Sequence, residues 1–314
     1  MPPGLERLAR GITSVVVVHD DVVRLLIVGL LCQGHVLLED APGTGKTLLA
    51  KTVARLVAGA FGRVQCTPDL LPSDITGGSI YDQASGSFRF LPGPLFANVV
   101  LIDEINRATP RTQSSLFEAM AERTVTADGT THPLPLPFHV IATQNPLESV
   151  GVYPLPEGEL DRFLLALSLG YPTRDQERVI LERGVAADPL AGVEPVVTTF
   201  QLLEWAAMVR RVHVSDAVRA YIVEIVARTR EHRSVTLGIS PRGAVALQHA
   251  AQALAYLDGM DFVTPDDVRR AAGPVLIHRL LMANGDRAAA AALVDDLLAE
   301  TPAPLASPVR GPAR

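Results

Sequence analysis

A phosphate-binding pattern is the strongest chemical signal in this sequence, and it lies in HVLLEDAPGTGKTLLAKT, residues 35–52. DAPGTGKT, residues 40–47, matches the pattern GxxxxGK[ST] except that Asp40 replaces the first glycine. Backbone N–H groups of such a turn and of the following helix bind anions. Lys46 would bring a compact charge to the β- and γ-phosphates, and the Thr47 hydroxyl would bind Mg²⁺. A glycine-rich turn without a ligand is the alternative.

Lysine usage supports a phosphate role for this stretch. Of the 28 Lys and Arg residues two are lysines, Lys46 and Lys51, and both lie here. The planar fork of arginine does not replace the point charge of lysine beside a phosphate. We therefore expect Lys46 to bind phosphate and Lys51 to be a solvated helix residue. The predicted nucleotide-binding segment is Asp40, Ala41, Pro42, Gly43, Thr44, Gly45, Lys46, Thr47 and Leu48.

Polar residues follow two other apolar runs. Asp103 and Glu104 come directly after NVVLI, and Asn145 follows FHVIATQ. Ligands of open α/β sheets bind beyond the carboxyl ends of the strands. There Asp103 could hold Mg²⁺ through water, and Glu104 could be the general base toward an attacking water. Asn145 could orient that water. A surface turn is the alternative for the acidic pair, and an Asn-Pro turn is the alternative for Asn145.

Short apolar runs predict the strands that would position these residues. They are HVLLE (35–39), RVQC (63–66), NVVLID (98–103), FHVIAT (138–143) and RFLLALSL (162–169). Runs with little alternation are typical of strands buried on both faces of a parallel sheet. Helical periodicity over 20–32, 47–59 and 112–122 separates them. This alternation favours a doubly wound α/β domain.

The pattern changes near residue 172. Residues 175–295 are mostly helical in periodicity, without a convincing strand, and Ser240-Pro241 and Thr264-Pro265 are typical helix starts. The Pro- and Ala-rich end of the chain predicts disorder. We expect an α/β domain over 1–172, a small all-helical domain over 173–298 and a disordered tail over 299–314.

Composition disfavours several classes of protein. A net charge of −6 does not indicate a large basic patch, so stable nucleic-acid binding is not expected. Two cysteines cannot form a disulfide framework, and they do not suggest zinc. The N-terminus lacks a secretory apolar region, and the apolar run 22–32 is too short to span a bilayer. GISPR (238–242) does not match GxSxG. A soluble cytoplasmic protein is the expectation.

Taken together, the motifs resemble the AAA+ ATPases and, within them, the MoxR family. The similarity covers about residues 15–285, in LLEDAPGTGKT (37–47), GPLFANVVLIDEINRATPRTQSSLFEAMAE (93–122), FHVIATQNP (138–146), YPLPEGELDRF (153–163) and LGISPRGAVALQ (237–248). The resemblance implies an α/β P-loop AAA+ domain followed by a small all-helical lid domain, ATP and Mg²⁺ as cofactors, and a homo-oligomeric, hexameric ring.

The resemblance also implies roles for individual residues. Lys46 and Thr47 would belong to the Walker A motif, Asp103 and Glu104 to Walker B, Asn145 to sensor 1, Arg162 to the arginine finger and Arg242 to sensor 2 on the lid. Surface ion pairs are the alternative for both arginines. Arg242 is the second residue of a proline-started helix, where N–H groups already favour an anion. Arg162 starts a strand, so its use toward a neighbouring subunit's ATP is the natural one.

Two further segments resemble family features. Residues 67–94 are similar to an insertion within helix 2, and residues 124–137 to the hairpin before sensor 1, with Asp128-Gly129 as its turn. Val18 and His19 stand where the family usually has a Gly-Gln-like pair near the adenine. Gly243 stands where alanine is more usual, which should weaken the start of that helix.

The implied activity is ATP hydrolysis coupled to chaperone-like remodelling or maturation of partner proteins. In the family such partners are often von Willebrand A domain proteins, sometimes in metal-cofactor insertion. Two alternatives remain: a DNA-acting or magnesium-chelatase-like motor of the same clade, and an ATP-binding switch that does not hydrolyse. The acidic composition argues against the first, and Glu104 argues against the second.

Overall fold

The computed structural model describes residues 1–40, 43–84, 86–145, 151–184, 189–283 and 285–304, and of Arg183 only the backbone. The strands are β1 (His35–Glu39), β2 (Phe61–Gln65), β3 (Gly77–Asp82), β4 (Ser87–Pro92), β5 (Val99–Asp103), β6 (Thr124–Ala127), β7 (Thr130–Pro133), β8 (His139–Gln144), β9 (Phe163–Leu167), β10 (Val235–Leu237) and β11 (Leu281–Met282). The helices are α1 (Pro3–Val15), α2 (Asp20–Leu31), α3 (Lys46–Leu56), α4 (Pro72–Thr76), α5 (Pro110–Glu122), α6 (Glu157–Leu160), α7 (Arg174–Arg183), α8 (Thr199–Val209), α9 (Asp216–Glu231), α10 (Pro241–Leu257), α11 (Pro265–Leu276) and α12 (Arg287–Glu300).

A five-stranded parallel sheet is the centre of the first part of the chain. Its strand order is β2-β5-β8-β1-β9. All five predicted strands are confirmed, with their ends shifted by no more than a few residues. β5 is buried along its full length, as expected for an apolar strand covered on both faces. Because the strands are parallel, the residues that follow β1, β5 and β8 lie at one edge of the sheet.

Local sequence signals explain where the helices begin. The side chain of Thr109 accepts a hydrogen bond from the Thr112 N–H, and Pro110 is the first residue of α5. The predicted starts of α10 and α11 are confirmed in the same way, with Ser240 and Thr264 as the capping residues. Helix α1 was not predicted, although Leu5, Leu8, Ile12 and Val15 are buried along one face of it.

Two antiparallel hairpins extend from this domain. Strands β3 and β4 form one hairpin, inside the segment that resembles an insertion. Strands β6 and β7 form the other hairpin. Its turn residues Asp128 and Gly129 have φ of 48° and 78°, which confirms the predicted turn. The rings of Phe90 and His132 stack with centroids 3.9 Å apart, so the two hairpins are in contact.

The chain divides into two compact units, Met1–Arg210 and Arg211–Arg314. Helices α7 and α8 group with the first unit, and the N–H groups of Val196 and Val197 both donate to the Leu56 carbonyl. The functional boundary at residue 172 between an ATPase domain and a lid therefore stays a prediction.

The second unit is a helical domain formed by α9–α12, in line with the predicted lid. It also contains the short antiparallel pair β10–β11, which the helical periodicity did not indicate. Of the predicted disordered tail, residues 305–314 lie outside the described residues, and Thr301 is buried.

Among the described residues, no helix combines the length and the apolar character that crossing a membrane requires.

Candidate nucleotide site

The phosphate loop follows β1 and leads directly into α3. Gly43 and Gly45 have φ of 85° and 88°, a conformation that favours glycine, and Gly45 is the N-cap of α3. Lys46, the first residue of α3, donates from Nζ to the Asp40 carbonyl oxygen at 2.9 Å. The predicted residues Ala41 and Pro42 lie outside the described residues.

The predicted catalytic residues at the carboxyl edge of the sheet converge on one cavity. Its volume is ≈ 450 Å³, and we call it the phosphate cavity. The residues that line it include Lys46, Thr47, Asp103, Glu104 and Asn145. They come from α3, β5 and the end of β8, so the parallel order of the sheet brings together residues that are far apart in sequence.

Charges inside the cavity act in opposite directions on the lysine. Burial lowers the pKa of Lys46, while the negative charges of Asp40, Asp103 and Glu104 raise it. A lysine among carboxylates at a helix N-terminus is suited to an anion that brings its own cation, such as a magnesium-bound polyphosphate.

Asp103 forms an ion pair that the sequence analysis missed. Arg63 Nε lies 2.9 Å from Asp103 Oδ2, and Arg63 Nη2 donates to Gln65 Oε1 at 3.2 Å. Gln65 Nε2 in turn lies 3.5 Å from Glu104 Oε2. Two β2 side chains therefore reach both carboxylates at the end of β5.

Glu104 is held by its backbone as well as by its side chain. Its φ of 55° and ψ of 53° are left-handed, which is strained for a residue other than glycine and is typical of functional sites. The Glu104 N–H donates to Thr143 Oγ1 on β8 at 2.9 Å. Arg107 Nη1 lies 3.0 Å from Glu104 Oε2. These contacts fix the direction of the carboxylate.

The donor set fits magnesium bound together with a nucleotide. Mg²⁺ keeps several waters and takes one or two protein oxygens beside substrate phosphates. Thr47 and Asp103 supply such oxygens in the phosphate cavity. The described residues contain no group of three or more His, Cys, Asp or Glu side chains for a metal, so a cage formed by the protein alone is not indicated there.

A second cavity adjoins the phosphate loop. Its volume is ≈ 430 Å³, and we call it the apolar cavity. It is lined by residues 14–19, by Gly43–Gly45 and by Leu169 and Gly170, among others. Val18 and His19, where a family pair near the adenine is usual, thus lie beside the phosphate loop. An apolar cavity next to a phosphate site suits a flat base.

The side chain of Asp40 makes contacts that the sequence did not predict, and its binding of nucleotide stays a prediction. It lines the phosphate cavity, but its buried carboxylate accepts hydrogen bonds from the Ser168 hydroxyl at 2.7 Å, the Leu169 N–H at 2.8 Å and the Gly170 N–H at 3.2 Å. These three donors occupy the Asp40 carboxylate. Its partners belong to the segment directly after β9.

Arg162 lies away from this cluster. It precedes β9, and Phe163 pairs with His35, the first residue of β1. Arg162 is therefore at the amino edge of the sheet, whereas the phosphate loop is at the carboxyl edge. The two edges are separated by the length of a five-residue strand, about 16 Å. Arg162 Nε lies 2.7 Å from Glu159 Oε2, and Nη1 donates to the Phe117 carbonyl.

Arg242 belongs to the second compact unit. It is exposed and is the second residue of α10, two positions after the Ser240 cap. The next residue, Gly243, is buried, and a Cβ there would lie 2.6 Å from Ile239 Cγ2. The structure thus gives a packing reason for glycine at this position.

Several residues of the site were absent from the predictions: Arg63, Gln65, Arg107, Thr143 and Ser168. A signal existed for Arg63 and Gln65, because β2 alternates polar exposed and small or apolar buried residues up to its carboxyl end. Their partners depend on β2 being the neighbour of β5, which spacing in the sequence does not reveal.

Comparison with known proteins agrees with this geometry. Residues 35–165 match the ATPase family associated with various cellular activities (AAA), and residues 227–297 match the AAA lid domain. The first match contains the phosphate loop, the acidic pair and Asn145.

Individual relatives match over most of the chain. The uncharacterized protein YeaC of Bacillus subtilis is 47% identical, over 89% of this chain and 88% of its own. Chaperone MoxR1 of Mycobacterium tuberculosis is 43% identical, over 88% of this chain and 76% of its own. Protein MoxR of Paracoccus denitrificans is 33% identical, over 94% of this chain and 95% of its own. The crystal structure of a proposed ATPase from Cytophaga hutchinsonii superposes with a TM-score of 0.88 at 34% identity, over 96% of this chain and 95% of that one.

Proposed function

This chain belongs to the MoxR family of AAA ATPases, and on that premise we propose that it hydrolyses magnesium-bound ATP in a ring of identical subunits. The observation that carries the proposal is the phosphate cavity, where Lys46 and Thr47 lie together with Asp103, Glu104 and Asn145.

Each of these residues has a role that its position supports. Backbone N–H groups of residues 43–48 hold the phosphates, and Lys46 leaves the Asp40 carbonyl to bind the β- and γ-phosphates. Thr47 and Asp103 would hold Mg²⁺, directly and through water. Bound there, the ion neutralises charge that develops on the phosphate oxygens.

Glu104 acts as the general base. It takes a proton from a water whose oxygen attacks the γ-phosphorus while the bond to the bridging oxygen of ADP breaks. The Thr143 and Arg107 contacts fix where its carboxylate points, and Asn145 at the end of β8 orients the same water.

Arg162 serves the site of a neighbouring subunit. At the amino edge of the sheet it is too far from its own phosphate loop, so its charge is useful at an interface between subunits. Arg242 on the second unit would contact the bound nucleotide as sensor 2. A hexamer is the proposed ring size.

The proposed use of hydrolysis is chaperone-like remodelling or maturation of a partner protein. One relative is named chaperone MoxR1, and it is 43% identical over 88% of this chain. A von Willebrand A domain protein, in some cases one that receives a metal cofactor, is the proposed client class. The hairpin β3–β4 would present its exposed side chains Tyr81, Phe88 and Leu91 to such a client.

Mixed rings test the shared site. Lys46→Ala subunits should retain the finger but not bind ATP, and Arg162→Ala subunits should bind ATP but lack the finger. Each alone should be inactive, and mixing them should restore a measurable part of the parental turnover. Turnover per parental subunit should also rise with protein concentration.

The alternative results separate the proposals. Three results together would contradict a shared site: mixing restores no activity, activity per subunit is constant at all concentrations, and Arg162→Ala is as active as the parent. The protein would then be an enzyme whose site is complete within one subunit. ATP binding without any turnover by the parent would favour a nucleotide switch instead.

A further inference from the structure

Asp40 joins the phosphate loop to the end of β9. It directly follows β1, and its N–H donates to the Gln144 carbonyl at the end of β8. Its carboxylate binds the three donors of residues 168–170, which directly follow β9. One residue therefore ties together the carboxyl ends of three neighbouring strands, β8, β1 and β9.

Asp40 lines the phosphate cavity and contacts two residues that line the apolar cavity. Its carbonyl oxygen accepts from Lys46 Nζ in the phosphate cavity. Leu169 and Gly170, which it holds through their N–H groups, line the apolar cavity beside Gly43 and Gly45. A shift of Asp40 would therefore move the lysine acceptor and the cavity wall at the same time.

The hydrogen bonds of the Asp40 carboxylate are suited to holding residues 168–170 in one position. Asp40 is 6% exposed, and a buried carboxylate is costly unless it is well hydrogen-bonded. One hydroxyl and two N–H groups satisfy it with charge-assisted bonds. A glycine here, as the general phosphate-loop pattern has it, would leave these donors without that acceptor.

We infer that Asp40 is a positioning residue that preorganises both halves of the nucleotide site by holding residues 168–170 against the phosphate loop. This inference rests on the proposed nucleotide binding. The three hydrogen bonds to Asp40 hold the segment in position, so bound nucleotide does not have to order it. Asp40 sets nucleotide affinity without touching the nucleotide through its side chain.

Three variants test the inference, with affinity measured for a non-hydrolysable ATP analogue. Asp40→Gly restores the general pattern yet should bind about 10- to 100-fold more weakly, since it loses three hydrogen bonds to a charged group. Asp40→Asn keeps an acceptor for Ser168 and Gly170 but directs an amide at the Leu169 N–H, so it should be intermediate. Ser168→Ala removes one donor and should have the smallest effect.

Amide hydrogen exchange separates positioning from plain stability. In Asp40→Gly the N–H groups of Leu169 and Gly170 should exchange fast in the free protein and become protected when the analogue binds. In the parent they should be protected in both states. Asp82→Asn, a substitution in the β3–β4 hairpin, is the matched control and should behave as the parent.

The outcomes are distinguishable. If Asp40→Gly binds the analogue as tightly as the parent, or only its melting temperature falls, the inference is wrong while the proposed function stands. If the parent itself does not bind the analogue, or Lys46→Ala binds equally well, the proposed function fails first.

Discussion

Arg63 on β2 and Asp103 at the end of β5 form an ion pair, with Nε 2.9 Å from Oδ2, inside the phosphate cavity. The carboxylate is largely buried, whereas the arginine side chain is 46% exposed. Its value as a stabilising pair is therefore small, and its main effect is on the direction of Asp103.

Replacement of Arg63 should impair turnover more than binding. We expect Arg63→Met to reduce ATP turnover about 10-fold while the affinity for an ATP analogue changes less than about 3-fold, because a misdirected Asp103 disturbs the metal rather than the phosphate loop. Arg63→Lys should recover little, since the single nitrogen of lysine does not reproduce the separate Nε and Nη2 contacts to Asp103 and Gln65. Steady-state kinetics and calorimetry measure both quantities.

Arg10→Met is the control for this substitution, because Arg10 is an exposed residue of α1 whose only close pair joins it to Glu6 in the described part of the chain. Equal losses of affinity and turnover in Arg63→Met would instead indicate that Arg63 binds the nucleotide itself.

Glu104→Gln should separate binding from chemistry. The amide retains the shape of the side chain but cannot accept a proton, so turnover should fall at least about 100-fold with analogue affinity unchanged. The variant should also stay bound to its client in the presence of ATP, and co-purification would reveal that partner. Glu6→Gln, on the exposed face of α1, should match the parent. Parental turnover in Glu104→Gln would place the base elsewhere.

That Lys46, Asp103 and Asn145 lie together at the carboxyl edge of the sheet could be predicted, because few contacts decide it. Asp103 ends β5, Asn145 directly follows β8, and Lys46 begins the helix that follows β1 and the phosphate loop. A parallel sheet brings such positions to one edge whatever the strand order. The turn at Asp128-Gly129 was predictable, because few residue pairs adopt the positive φ angles that a two-residue hairpin turn requires.

Other contacts depend on which strands are neighbours. Arg63 meets Asp103 because β2 lies beside β5, and Asp40 meets Ser168 because β9 lies beside β1. The residues of the second pair are far apart in the sequence, and no local pattern links them. The effect of Gly243 was expected from helix propensity alone, which ignores the neighbours that a Cβ would contact.

Two buried histidines should make stability fall in mild acid. Burial lowers the pKa of His35 to about 3 and that of His139 to about 4, and for His35 the positive charges of His139 and Arg123 act in the same direction. The Val140 N–H donates to His35 Nδ1, while Nε2 lies 3.1 Å from the Met120 carbonyl oxygen. Protonation of Nδ1 would remove that acceptor.

The sign of the effect follows from these shifts. Below the ordinary histidine pKa of about 6.5 the unfolded chain binds protons that the folded chain does not. Stability should therefore be full above that pH and fall toward pH 4 by about 1.4 kcal/mol per pH unit for each histidine. Urea unfolding at several pH values measures the slope.

His35→Asn should reduce that slope, because its side-chain oxygen can accept from the Val140 N–H but does not titrate. His19→Gln, at an exposed histidine, should leave the slope unchanged. Identical slopes for His35→Asn and the parent would show that His35 is not the titrating group.

Gly243→Ala should destabilise the protein, against the expectation from helix propensity. Alanine would favour the helix by about 1 kcal/mol. The added Cβ would lie 2.6 Å from Ile239 Cγ2 and 3.1 Å from Arg279 Cδ, and both side chains are buried and cannot move freely. Overpacking of this kind costs about 1–3 kcal/mol, so we expect the free energy of unfolding, measured by chemical denaturation, to fall by about 1 kcal/mol.

Gly158→Ala in α6, where a Cβ would meet nothing within 4 Å, is the matched control and should be neutral or slightly stabilising. A gain of stability in Gly243→Ala would mean that α10 adjusts around the new methyl group, and the packing reason for this glycine would be wrong.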